Sequence, residues 1–73
     1  MDLKGHMDAL GLNDRELAMK SSLSIATVKM AKAGRPVNKN AVDRLLDALS
    51  QKYGRKIERE EVESLLLGDE TQA

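Results

Sequence analysis

Between Asn13 and Gly34 the chain reads NDRELAMKSSLSIATVKMAKAG, and the spacing of its apolar residues leaves few ways to fold. Leu17 and Ala18 fall on one side of a helix. Val28 and Ala31, three apart, fall on one side of a second helix. Leu23 lies between them, placed to plug a turn. Ser21 and Ser22 bond locally to backbone and resist helix continuation, and Ser24 is a good cap for a new helix. Asn13 can cap the first helix while Glu16, three residues on, bonds back in a capping box. Gly34 suits the left-handed position past a helix end, and Pro36 prevents renewal. Two short helices joined by a tight turn are therefore predicted, each with one face turned inward.

The flanks extend this pattern. Tyr53 is the only aromatic residue, so the core must be aliphatic, as small helical bundles allow. No alternating run and no Asn-Gly or Asp-Gly hairpin signal occurs. The expectation is an all-α, compact five-helix bundle. A first helix over Asp2 to Leu10 carries Leu3, Met7 and Leu10 on one stripe, is weakened by roughly 1 kcal/mol at Gly5, and stops at Gly11. Leu12 packs inward ahead of the Asn13 cap. After a Gly34 to Val37 loop, Asn38 caps a helix from about Lys39 to Tyr53, whose stripe is Val42, Leu45, Leu46, Leu49 and Tyr53. Gly54 ends it. Ile57 and Val62 bracket a start near Glu58 as a hydrophobic staple would. Glu58, Glu60, Glu61 and Glu63 crowd the first turns of that predicted fifth helix, where carboxylates suit the helix dipole. Its buried face is Val62, Leu65 and Leu66. Three successive leucines cannot all face one core, so Leu65 or Leu67 is a candidate dimer contact. One domain over residues 1–67 and a flexible tail over 68–73 complete the organisation.

Several function classes are disfavoured. There is no cysteine and one histidine, so no disulfide, metal or cofactor site is expected, and a reducing cytoplasm suits the chain. No apolar run approaches the roughly 20 residues of a membrane span, and no signal-peptide pattern opens the sequence. No nucleophile–base pair and no Gly-rich phosphate loop suggests an enzyme. His6 is expected at the surface, and Tyr53 at the core edge with its hydroxyl in water. Gly5-His6-Met7 resembles a cloning scar, but it sits inside an amphipathic segment and is read as native. The glutamate cluster after Ile57 reads as a solvated helix start and not as a metal site.

Formal net charge is zero, yet its distribution is uneven. Asp14 to Arg44 carries +4, the first 13 residues carry −1, and Leu45 onward carries −3. A basic middle coincides with the two-helix unit, which has the shape of a helix-turn-helix whose second helix can lie in a DNA major groove. With Val28 inward, Ala26, Lys29, Met30 and Ala33 point most directly away from the core. Ile25, Thr27 and Lys32 lie toward the flanks, and Ser24 is at the amino end. Lys29 is the strongest base-edge candidate, most naturally to guanine. Ser24 or Thr27 suits a base or a phosphate, and Ile25, Ala26 or Met30 suits a thymine methyl. Arg15, Lys32, Arg35 and Lys39 are better placed as phosphate anchors. An ordinary solvated surface would also explain the basic residues, and Met30 alone suits gap-filling as well as an interface.

The stretch LNDRELAMKSSLSIATVKMAKAGRPVNKNAVDRLLDAL resembles the phage-repressor (Cro/XRE-like) helix-turn-helix family. Glu16-Leu17-Ala18, Ser22, Val28, Gly34 and Leu45 to Leu49 sit where that family has an ELA-like element, a small turn residue, a recognition-helix Val or Ile, a Gly-containing loop and a Leu-rich fourth helix. LSQKYGRKIEREEVESLL is similar to its last helix. Two positions depart from the pattern: Ser22 stands where the turn usually has Gly, and Asp14 stands where a phosphate-binding polar residue is common. The resemblance implies a lambda-repressor-like fold and a homodimeric transcriptional regulator bound to double-stranded DNA.

The outward face of the second helix lacks Arg, Asn and Gln, the types that make two-pronged base contacts. The alternative expectation is therefore a small modulator or antirepressor that docks this Met-bearing face on a partner repressor protein.

Overall fold

Each helix begins at a side chain that can accept a free backbone N–H. In the computed structural model, which describes residues 1–63, 65 and 66, helix α1 spans Leu3–Leu10. Asp2 is its cap and not its first residue, accepting from the Gly5 N–H at 2.8 Å. Helix α2 spans Asp14–Ser21 behind the Asn13–Glu16 capping box, and α3 spans Ile25–Lys32 behind Ser24. Helix α4 spans Lys39–Tyr53, with the Asn38 carboxamide accepting from Ala41 N–H at 2.8 Å. Such caps are worth about 1 kcal/mol each. The described residues hold four α-helices and no strand. None of those helices is long and apolar enough to cross a membrane.

One aliphatic core joins them. Leu3 and Met7 from α1, Leu17 and Ala18 from α2, Val28 and Ala31 from α3, and Val42, Leu45 and Leu49 from α4 are all buried. Ala41 and Ala48 join them on α4, small enough for neighbouring backbones to approach. Helix α2 packs on α3 and α4, and α1 packs on the same two. Full burial of each large aliphatic side chain contributes about 1.5–3 kcal/mol.

The α2–α3 joint is a left-handed turn made without glycine. Ser22 has φ 58°, the one positive φ outside glycine among the described residues. Its N–H donates to α2 carbonyls, Leu23 N–H donates to Ala18 O at 2.9 Å, and the Leu23 side chain packs against the core. The buried Ser21 hydroxyl donates back to Leu17 O at 2.6 Å. The joint therefore satisfies its own polar groups while holding a conformation that costs an L-residue about 1 kcal/mol.

Where a fifth helix was expected, the described chain makes a single 3-10 turn at Arg59–Glu61 and then runs extended. Ile57, Val62 and Leu65 are buried as anticipated, but Leu66 is exposed. The helix gives way because the extended path finds better partners. Glu63 N–H donates to Met1 O at 2.9 Å beside a parallel bridge to Asp2, and Val37 N–H donates to Leu66 O at 3.1 Å. The segment is a strap across the ends of α1 and the α3–α4 loop. Leu65, named as a candidate dimer contact, is buried in the chain's own core. Leu67 and the predicted tail over 68–73 lie outside the described residues.

His6 and Tyr53 also depart from expectation. His6 is only 7% exposed. Its Nε2 lies 2.7 Å from Glu61 O and its Nδ1 lies 2.6 Å from the Tyr53 hydroxyl. A carbonyl oxygen only accepts, so Nε2 donates; in the neutral ring Nδ1 then accepts the Tyr53 proton. The two rings meet edge-on, with centroids 5.6 Å apart. The imidazole thus ties α1, the end of α4 and the strap together. Sequence periodicity held one signal for this, since His6 sits between Leu3 and Met7 on the apolar stripe of α1. Gly5-His6-Met7 is an integral part of the packing, with His6 and Met7 both buried.

Candidate nucleic-acid interface

Helix α3 meets the core through two residues only. Val28 and Ala31 are 0% and 1% exposed. Ser24, Ile25, Ala26, Lys29, Met30 and Ala33 are exposed, while Thr27 and Lys32 are half-buried. Of the six residues expected to face bases, five are exposed and Thr27 is the least accessible. Met30 and Thr27 also border a shallow depression completed by Pro36, Val37, Asn38 and Ala41.

The polar groups on this surface are partly committed. Ser24 Oγ accepts from Thr27 N–H at 3.1 Å and shares a hydrogen bond with Thr27 Oγ1 at 2.9 Å. Lys32 Nζ lies 2.6 Å from Asp14 Oδ1, with both side chains about one-quarter exposed at 27% and 25%. That pair links the end of α3 to the first turn of α2 and neutralises both members. It occupies Lys32, one expected anchor, and the Asp14 carboxylate, which would otherwise repel a phosphate. Lys39 is exposed and bonded to Asp43 one turn along α4 at 2.9 Å. An exposed pair of that kind is weak, so Lys39 can exchange its partner at little cost. Arg15, Lys29 and Arg35 are exposed and make no ion pair among the described residues. These three and Lys39 are, of the predicted contacts, the cations still accessible to a polyanion.

Exposed apolar side chains also occur in the chain's middle. Ile25 and Met30 keep 42% and 40% exposure, and Met19 on α2 keeps 73%. Sequence reading named Ile25 and Met30 but passed over Met19, whose place outside the Leu17–Ala18 face was the available signal. Among the described residues no cluster of His, Cys, Asp or Glu is arranged to hold a metal ion. Neither a family model, a curated protein nor a solved structure matches this chain.

Proposed function

We propose that the protein is a sequence-specific DNA-binding transcriptional regulator of the phage-repressor type, with α3 as the helix that enters the major groove. The observation that carries this reading is the orientation of α3. Two buried residues fix it to the core, Ile25, Ala26, Lys29 and Met30 stay exposed along it, and Arg15, Arg35 and Lys39 are exposed in the same basic middle of the chain. Lys29 is the base-edge cation, and Arg15, Arg35 and Lys39 hold phosphates. Acting as a homodimer, such a module reads half-sites about 34 Å apart. Occupancy of the site then blocks or recruits polymerase.

A gel-shift series over salt concentration tests the reading. Binding should weaken steeply with salt as neutralised phosphates release counterions. Lys29→Ala should lower affinity about tenfold and change the preferred sequence. Arg35→Ala should weaken binding to all sequences alike and reduce the salt slope by about one. Equal effects of the two substitutions on every sequence would defeat the division of roles.

The exposed Met19, Ile25 and Met30 favour a second reading, a modulator that docks this face on a partner repressor. It predicts no duplex binding at low salt, and loss of co-purification with a repressor in Met30→Asp.

A further inference from the structure

Resting on the groove-binding reading above, we infer that α3 selects its site through the C5-methyl groups of thymine, with Ala26 and Met30 as the contacting side chains and Ile25 beside them. The hydrogen-bonding capacity of this face is smaller than its sequence suggests. Ser24 and Thr27 spend one of their two hydroxyl protons on each other, at 2.9 Å. Ser24 Oγ also accepts the Thr27 N–H. Lys32 is held by Asp14 at 2.6 Å. The Lys29 ammonium and one hydroxyl proton are the donors that remain for base edges, beside the unused hydroxyl lone pairs. Against them stand Ile25, Ala26, Met30 and Ala33, all exposed.

An apolar surface pressed on a base edge strips water from donors and acceptors without replacing it, which is unfavourable. In the major groove a thymine methyl is the one base-edge group that gains from such contact. Where Ala26 and Met30 meet the groove, the face therefore favours A·T pairs whose methyls point at it over G·C pairs, which offer no methyl to offset desolvation of their polar edges. Lys29 supplies a single polar contact within an otherwise methyl-reading helix.

The test begins with a duplex enriched from a random library at low salt. Each thymine in the protected region is then replaced by deoxyuridine, which keeps every hydrogen-bonding group and removes only the methyl. The expected result is about a fourfold loss of affinity per contacted methyl, with the salt slope unchanged. Met30→Gln should reduce the thymine-over-deoxyuridine preference at the base pair it faces, whatever its effect on overall affinity; a thermal melt checks that it folds. Equal affinity for thymine and deoxyuridine duplexes, with salt-sensitive binding intact, would overturn this inference and leave the groove reading standing. Absence of any duplex binding at low salt would overturn both.

Discussion

The α2–α3 unit and the strap are both short, irregular in part, and dependent on side chains to finish their backbone. They are held in opposite ways. Every cap in the α2–α3 unit reaches three or four residues: Asn13 to Glu16, Ser24 to Thr27, Ser21 to Leu17. The strap adds distant partners to its local turn. His6 meets Glu61 across 55 residues and Tyr53 across 47, Glu63 meets Met1, and Leu66 meets Val37. A locally closed unit has its turn and caps set within a few residues, and packing of Leu17, Ala18, Val28 and Ala31 on the shared core then fixes where its outer face points. A strap closed at long range is only as firm as the core beneath it, since its ordering entropy is offset by contacts it does not own.

The largest effect is expected at His6. His6→Ala leaves the Tyr53 hydroxyl and the Glu61 carbonyl without their ring partner and opens space in a buried site. A loss of about 2–4 kcal/mol follows from unsatisfied groups and cavity together. Urea unfolding measures the total, and amide hydrogen exchange should show Val62 and Glu63 opening before the amides of α2 and α3. A loss under about 0.5 kcal/mol, or uniform opening, would erase the distinction between the two regions. Tyr53→Phe removes one hydrogen bond and keeps the ring contact, so it should cost about 1 kcal/mol.

The same distinction explains what could be read in the sequence. The helices α2, α3 and α4, their caps and the inward direction of Val28 were legible because periodicity and capping act within one or two turns. So was the outward set around Lys29. Two small core residues, Ala41 and Ala48, escaped notice because the larger Val42, Leu45 and Leu49 already accounted for the α4 stripe. The strap misled for a physical reason. Ile57, Val62 and Leu65 have a spacing that a helix also buries, and Glu58 with Glu61 makes a local start signal. What decides for an extended path is pairing with Met1, Asp2 and Val37, which no local pattern encodes. The commitment of Lys32 to Asp14 was hidden likewise, since those residues are 18 apart.

A smaller effect, of opposite sign, is expected in the local unit. Ser22 holds φ 58° as an L-residue. Ser22→Gly relieves that cost while giving back some unfolded-chain entropy, so a net gain of about 0.5–1 kcal/mol is expected. Thermal denaturation measures it, and the strap's hydrogen exchange relative to the global value should not change. A destabilised Ser22→Gly protein would mean that the serine side chain supports the turn, and that the unit is not closed by backbone and caps alone.

The subtlest prediction compares one device used in both regions. Asn13 N–H donates to Glu16 Oε1 at 3.4 Å in the local unit, and Glu58 N–H donates to Glu61 Oε2 at 2.9 Å in the strap. The shorter bond has an electrostatic consequence. The Glu58 N–H, and after it the Arg55 guanidinium at 3.0 Å, hold the Glu61 carboxyl below its ordinary value of 4.5. A folded-state value below the unfolded one means that the ionised form favours folding. That contribution is present above pH 4.5 and fades as pH falls through the lowered folded value. Glu61 is exposed enough for salt to screen the Arg55 part, so the effect is small and shrinks in concentrated salt. Glu61→Gln should flatten the acid limb of the stability curve, and exchange at Val62 should lose its acid dependence. Superimposable acid limbs for the two proteins would show that charge does not hold the strap's turn, leaving His6 and the buried Ile57, Val62 and Leu65 to fix the strap.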